Sequence, residues 1–436
     1  MTPPLNNKNQ SLALAAIAAF SVYFCMYAFR KPFTAATFEH EAAFGHQLKA
    51  ILIISQLLGY MTSKIVGIKF VSELNRRYRA LAILTLIAIA EVSLLLFAVV
   101  PNEYKVLAMF LNGLPLGMVF GFVLSFLEGR TTTEALAAIL CASFIVSSGV
   151  VKSIGQWLIQ VQGVNEFFMP AITGAIFVVP LLLSVWLLQK TPPPSQTDLE
   201  QRSERTVMTG VDRWSFFRAY WPGLTAMFIV YVSLTIMRTF RDDFGVEIWQ
   251  GLGVSGEPSV YAVSETIVMC VVTLLNAIAI YVHDNIRALR TTFVIMAIAF
   301  GILVGVTFIQ GQGMMGPLAF MVLCGIGLYI PYVAFHTTVF ERIVAASPRK
   351  GNLVFLMYLA DSIGYLGYVV LLAVKETLDG TPDKLGLFQS TLTVLAIFSI
   401  VCLIVGWTFF SRVFAKEKEA LADFNVNPVS ELEHAS

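Results

Sequence analysis

The sequence predicts an all-α membrane protein, with twelve transmembrane helices in two six-helix pseudo-symmetric halves. Three observations predict it: a composition too apolar for water, apolar runs of membrane length along the whole chain, and an ordered internal repeat. Of 436 residues, 57% are hydrophobic and 13% are charged, against about 25% charged in soluble domains. A hydrocarbon span takes about 20 apolar residues, so twelve would use about 240 and leave the rest for connections. This excludes a secreted disulfide scaffold, a disordered chain and an ordinary cytosolic enzyme. The formal charge of +1 gives no electrostatic case for a nucleic-acid partner. The five cysteines, at 25, 141, 270, 324 and 402, sit in apolar stretches without CxxC spacing and are expected to be buried reduced thiols.

The expected spans, in order, are 10–34, 48–70, 80–100, 106–127, 134–161, 166–189, 219–240, 259–282, 291–310, 316–340, 352–375 and 386–411. The first is too polar at its end, and lacks the cleavage pattern, to be a signal peptide. Short polar joints separate most neighbours: Pro101-Asn102-Glu103, Gly311-Gln312-Gly313, and Asp379-Gly380 within 376–385. Residues 190–218 differ. They are polar, Pro-rich and charged, with no apolar core, and read as a cytoplasmic linker between the halves 1–189 and 219–411, with 412–436 as a tail. With both termini cytoplasmic, 19 of the 29 Lys and Arg fall on cytoplasmic segments or span ends and six on outer ones. That bias predicts a multi-pass protein of the cytoplasmic (inner) membrane with both termini inside, and we expect a monomer in the lipid bilayer.

The halves repeat in order. Val22-Tyr23 and Arg30 match Val230-Tyr231 and Arg238 at an offset of 208. Ser55-Gln56 matches Ser264-Glu265 at 209; Glu128-Gly129-Arg130 matches Glu341-Arg342 at 213 and 212; Gly149 matches Gly364 at 215. A slowly growing offset is what duplication followed by small insertions leaves. Internal repeats in a polytopic chain point to a secondary transporter with its site near the midplane between the halves.

At least seven ionisable residues fall within the expected spans, among them Arg30, Lys64, Glu91, Lys152, Arg238, Glu265 and Asp361. Each costs about 2.5–3.5 kcal/mol at a helix centre, so the set costs roughly 20 kcal/mol if isolated, more than the net stability of a typical protein. They must pair, face water or be neutral, and a wet cavity between the halves accommodates most of them. Arg30 and Arg238 are repeat-related, and either share an anion across that cavity or snorkel to the outer headgroups. Tyr23, Tyr27 and Arg30 share a helix face at i, i+4, i+7, as do Tyr60 and Lys64 at i, i+4, an arrangement suited to an oxyanion or to ordinary packing. Lys152 with Glu265, and Lys64 with Asp361, are opposite charges at opposite depths that could gate opposite ends; Glu265 or Asp361 could instead carry a coupling proton.

The remaining features are weaker. Glu91 has no partner evident in the sequence. Gly113, Gly117 and Gly121 allow close helix packing. Arg76, Arg77 and Arg79 mark topology or bond to neighbouring helix ends, and Pro170 and Pro180 are expected to kink the sixth span. His336 stands alone on the tenth span, where it either lines the pathway or packs. No P-loop, GxSxG, HExxH or zinc spacing occurs, so no cofactor, metal or enzymatic activity is expected.

These residues resemble the major facilitator superfamily over nearly the whole chain, and within it the organophosphate:phosphate antiporters, which carry glycerol-3-phosphate and hexose phosphates. Tyr23, Tyr27, Arg30 and Lys31 (YFCMYAFRKPF) resemble that family's span-1 signature, and Tyr60, Ser63 and Lys64 (GYMTSKIVG) its span-2 Tyr-x-x-Ser-Lys. Arg238 falls where the family has its second phosphate-binding Arg, and Gly364-Tyr365-Leu366-Gly367 resembles its span-11 Gly-Tyr-x-Gly. The chain departs from the pattern elsewhere. Gly67 comes one residue early, Glu73 replaces the acidic residue of the following loop, and Thr235 stands where a Tyr precedes the second Arg. The family's span-5 His is missing, with Phe144, Ile145, Ser147, Ser148 and Lys152 in that region, and Glu265 and Asp361 add negative charge. The strings SFLEGRTTTEALAA and SGVVKSIG also resemble an uncharacterised bacterial branch of the superfamily.

The resemblance implies the major facilitator fold, alternating access and a phosphate clamp. Together with the residues it predicts a secondary transporter of a small organic anion, a phosphorylated or carboxylated metabolite, working by exchange or otherwise. The expected binding residues are Arg30, Arg238, Lys64, Tyr23, Tyr27, Tyr60 and Tyr365; Lys152, Glu265 and Asp361 are expected to gate or to couple protons. The alternatives are a proton-coupled carrier of a neutral or zwitterionic solute, and a transporter-like sensor that moves nothing.

Overall fold

The computed structural model describes residues 5–127, 133–192, 210–279, 284–347, 353–378 and 383–426. Most of the expected linker (193–209), Glu128-Gly129-Arg130 and Asp379-Gly380 lie outside the described residues, as does the Glu73 side chain.

Six long helices form the first half: α1 (Leu5–Tyr27), α2 (Leu48–Glu73), α3 (Arg76–Val99), α4 (Asn102–Leu127), α5 (Thr133–Gln160) and α6 (Met169–Gln189). The second half holds α7 (Gly210–Asp243), the short α8 (Gly245–Gly251), α9 (Ser259–Ala279), α10 (Asn285–Gly311), α11 (Pro317–Ala346), α12 (Leu353–Leu378) and α13 (Lys384–Val426). Among the described residues, nine helices are long and apolar enough to cross a membrane, and the apolar stretches Leu12–Tyr27 and Ser259–Leu275 are shorter.

The packing repeats between the halves. α1 lies against α5 and α6 as α7 lies against α12 and α13; α2 packs on α4 as α9 packs on α11. α3 joins α4 and α6 as α10 joins α11 and α13. Across the interface α2 meets α12 and α5 meets α9, the exchange that a pseudo-two-fold axis requires. The loop caps repeat as well: Asn75 accepts from the Arg77 amide to start α3, and Asp284 accepts from the Arg287 amide to start α10. Large apolar side chains stay exposed on the outermost helices, among them Val92 and Leu95 on α3, Ile298 on α10 and Ile404 on α13. Exposed Trp157, Trp186 and Trp214 sit near helix ends, as interfacial aromatics do.

α2 and α4 approach most closely. A Cβ on Gly59 would strike the Phe110 carbonyl oxygen, and one on Gly113 would strike the Gln56 carbonyl. Gly117 meets Tyr60 and Ser63, and Gly121 meets Val71. The GxxxGxxxG run is therefore a packing seam.

Several boundaries differ from the sequence expectation. α1 stops at Tyr27 rather than running to 34, because the Pro32 ring would clash with the Ala28 carbonyl. The chain tightens instead, with Ala28, Phe29 and Arg30 amides donating three residues back, and Pro32–Ala35 form a 3-10 turn. A hairpin of Ala42–Ala43 and His46–Gln47 follows, its turn using positive φ at Phe44 and Gly45. α7 has no such proline and runs on to Asp243, beyond 240. α13 extends to Val426. Pro170 starts α6 rather than kinking it; Pro180 lies inside. Cys270 is exposed on α9, against the expectation of burial, while all five thiols are free. Arg76 donates to the Thr191 carbonyl and Arg79 to those of Leu74 and Ser125, so these two tie neighbouring helix ends.

Candidate functional site

The end of the bundle carrying the α1–α2 connection is called distal here. Between it and the middle, the irregular chain after Tyr27 needs partners for its freed carbonyls. Asn112 of α4 supplies one, donating to Phe29 O at 2.9 Å, and ties that stretch to α3 by also donating to Ala90 O at 3.0 Å. Gln56 of α2 donates to Arg30 O and to Asn112 Oδ1, each at 2.7 Å. Both side chains are buried. Arg30 is thus fixed by a polar network within the first half, whereas its repeat mate Arg238 sits on the unbroken helix α7.

A cavity lies between the halves, with about 430 Å³ of space free of protein atoms when its open side is included. All seven expected binding residues line it: Tyr23, Tyr27, Arg30, Tyr60, Lys64, Arg238 and Tyr365. Asp361 and His336 line it too, with Phe120, Cys141, Phe144 and Tyr332 completing the wall. The Arg30 guanidinium lies 4.0 Å from the Tyr60 ring centre and 5.9 Å from that of Tyr27, and the Arg238 guanidinium lies 4.4 Å from that of Tyr332. Both arginines are buried, and neither snorkels. Among the described residues neither has a carboxylate partner, and the Nε of each lacks any hydrogen bond. Cation–π contact of this kind is worth about 0.5–2 kcal/mol and does not replace a counter-ion.

Lys64 and Asp361 meet at 2.5 Å, joining α2 to α12 in the cavity wall. Tyr231 donates to the other Asp361 oxygen, and the Tyr60 and Tyr365 rings pack across the same seam at 5.7 Å. The Lys152–Glu265 pair does not form. Lys152 bonds Asp242 at 2.5 Å, and Glu265 bonds Arg241 at 2.7 Å. The cause is the extra turn of α7, which carries Arg241, Asp242 and Asp243 inward where the sequence was read as a loop.

That turn forms the hub of a distal cluster. Lys31 reaches Asp242 at 2.6 Å and also bonds Asp243; Ser148 bonds Asp242; Lys49 bonds Glu247 at 2.5 Å. In each ion pair the lysine belongs to the first half and the acid to the second. Near them the Gln47 amide donates to Glu376 at 2.7 Å, and Lys384 donates to Gln47 at 3.1 Å. Among the described residues every ion pair between the halves lies at Lys64–Asp361 or distal to it. Sequence reasoning missed Asp242, Asp243, Glu247, Gln56 and Asn112; the Arg-Asp-Asp string directly after a span was the available signal. Among the described residues the buried Oε2 of Glu91 has no hydrogen-bond partner and lies against Gly174 of α6. No group of three metal-ligating side chains occurs among the described residues.

Comparison with known proteins places this geometry in context. The profile of a family described as "Family of unknown function (DUF5690)" matches residues 32–413. No curated protein matches the sequence. Solved transporter structures share the fold. The nucleoside transporter NupG aligns with TM-score 0.57 and 15% identity, over 91% of this chain and 99% of that one. A D-xylose-proton symporter aligns with TM-score 0.57 and 14% identity, over 92% and 97%. The human organic anion transporter MFSD10 (TETRAN) aligns with TM-score 0.54 and 13% identity, over 93% and 100%. At these identities the likeness shows the fold alone: that of major facilitator transporters.

Proposed function

Starting from a chain that belongs to the family of unknown function DUF5690 and carries the major facilitator fold, we propose that it is an alternating-access carrier of a small organic anion. The observation that carries this proposal is the pair of buried guanidiniums, one from each half, lining a single cavity without a carboxylate partner. Proteins of this fold include ones named for organic anions, nucleosides and a sugar with a proton, so the charge of the cavity has to decide the solute. Arg30, Arg238 and Lys64 against Asp361 leave the wall with a surplus of positive charge, which an anion neutralises. Phosphate and carboxylate both fit a planar donor fork. Exchange, a cytoplasmic-membrane location with both termini inside, and the division at 190–218 belong to the same proposal.

In this scheme the distal cluster of Lys31, Lys49 and Lys152 with Asp242, Asp243 and Glu247 closes the outer mouth. Lys64–Asp361 joins the halves beside the bound anion. The test is uptake into proteoliposomes of a panel of phosphorylated and carboxylated metabolites. Arg30→Gln and Arg238→Gln are each expected to abolish transport in protein that still folds. Full transport by both variants would remove the clamp. Asp361 in the wall favours one rival, a proton-coupled carrier of a zwitterion; flux independent of the pH gradient counts against that rival.

A further inference from the structure

His336 is a polar side chain of the cavity wall that neither the clamp nor the Lys64–Asp361 pair employs. It sits on a π-helical turn, Phe335–Val339, inside α11. Such turns are rare and recur at functional sites, because the inserted residue re-aims the side chains around it. The ring is held in place. Its centre is 4.5 Å from that of Tyr332 and 6.0 Å from that of Tyr231, and Nδ1 lies 2.9 Å from the Tyr332 carbonyl oxygen. A carbonyl only accepts, so Nδ1 carries the hydrogen of that bond. In the neutral ring Nε2 is then an acceptor without a donor function. Among the described residues nothing bonds to it.

The rest of the wall is different in kind. Arg30, Arg238 and Lys64 only donate. Asp361 is engaged on one oxygen by Lys64 and on the other by Tyr231. The phenols of Tyr23, Tyr27, Tyr60, Tyr332 and Tyr365 each bring one donor hydrogen and can also accept. His336 Nε2 is therefore a pure acceptor with no bonded donor among the described residues, whereas Asp361, the other pure acceptor among the wall's side chains, already holds a donor on each oxygen. An anionic head occupies the donors and cannot satisfy Nε2; a hydroxyl on the solute body can.

Given the anion-carrier proposal above, on which this step rests, we infer that His336 Nε2 accepts a hydrogen bond from a hydroxyl group of the solute, and that the cavity selects hydroxylated small anions over their deoxy counterparts. The partner is defined by two features: an oxyanion for Arg30 and Arg238, and a hydroxyl for His336. A site built to bond a hydroxyl rejects an analogue lacking it more sharply than an apolar pocket discriminates size, because the acceptor is left unpaired.

The test uses matched probes on the purified full-length protein. Glycerol 3-phosphate is compared with propyl phosphate, and glycerate with propionate, by calorimetric or competition binding. The two pairs separate a phosphate head from a carboxylate head. The wild type is expected to bind the hydroxylated member of at least one pair about tenfold more tightly. In His336→Leu the ratio within that pair falls to about one, whatever the absolute affinities. His336→Gln, which restores an acceptor, recovers part of the preference; a change that only loosened the fold would not. His336→Phe is the second acceptor-free variant if the leucine protein does not fold. Equal binding within both pairs by the wild type, or an unchanged ratio in the acceptor-free variant, overturns the role of His336 and leaves the clamp standing. Failure of folded wild-type protein to bind any of the four probes overturns the clamp, and this inference with it.

Discussion

A buried guanidinium without a carboxylate is held in the protein at a cost of desolvation that only an anion offsets. Arg30 and Arg238 are in that condition, so their chemistry and not merely their charge should matter. Arg30→Lys keeps a cation but loses the planar fork and the face that lies on Tyr60. We expect solute affinity to fall by at least about tenfold in Arg30→Lys and in Arg238→Lys, read by binding to purified protein; wild-type affinity in both would mean that point charge suffices. Asn112 is as consequential. Replacing it by Leu strands the Phe29 carbonyl, and an orphaned buried group costs about 1–3 kcal/mol. A lowered unfolding temperature accompanied by weaker solute binding is the expected outcome, since the chain that fails is the one bearing Arg30. That seven named residues would line one cavity was legible in the sequence: Arg30, Lys64 and Arg238 because lipid makes an intramembrane charge conspicuous, and the four tyrosines through their spacing beside those charges or through the family resemblance. Asn112 was not. One amide among apolar residues carries no motif, and its need arises only from the broken end of α1.

Helices in this protein are placed by where glycine and proline let them touch or stop. Gly113 and Gly301 make the point with opposite signs. A Cβ on Gly113 meets the α2 backbone at Gln56, whereas one on Gly301 meets nothing within 4 Å. Gly113→Ala should destabilise by about 1–3 kcal/mol through overpacking. Gly301→Ala should leave stability unchanged or raise it by up to about 1 kcal/mol, because alanine is the better helix former. Thermal unfolding in detergent distinguishes the two, and equal shifts would show that the α2–α4 seam tolerates separation. The seam was legible from GxxxGxxxG spacing. The end of α1 was misread by the rule that works elsewhere: an apolar run predicts a span, and 10–34 is apolar enough. Pro32 overrides it by geometry. The same rule ended α7 at 240 because Arg-Asp-Asp is polar, although helix continues through it and buries all three side chains.

At the scale of the whole molecule the duplicated six-helix plan was legible, because ordered repeats survive in sequence even where each match is weak. Which charges meet across the interface was not, because that depends on how far each helix runs. Asp242 is the case that tests the consequence. It binds Lys31 and Lys152, both from the other half, and all three side chains are buried. These bonds exist only while the distal ends are together, so they weight the equilibrium toward distal closure. Asp242→Asn removes the shared counter-charge, leaving the buried Lys152 ammonium facing a neutral amide while Lys31 keeps Asp243, the kind of change that costs about 3–5 kcal/mol when a buried pair is broken. A loss of about 3 kcal/mol confined to the closed state would shift its ratio to the open state by roughly a hundredfold. Phe44, at the tip of the distal hairpin, and Met314, in the distal α10–α11 joint, are both exposed and belong to different halves. Nitroxide labels on cysteines at these two positions, with the exposed Cys270 replaced, report the distal separation by pulsed electron resonance. The wild-type background should give one dominant short distance, and Asp242→Asn should add a longer population. Adding Lys152→Gln to Asp242→Asn should lessen that population, since the stranded charge is gone. A distance distribution unmoved by Asp242→Asn would show that the halves are held by their apolar contacts, with the lysine–aspartate cluster a passenger.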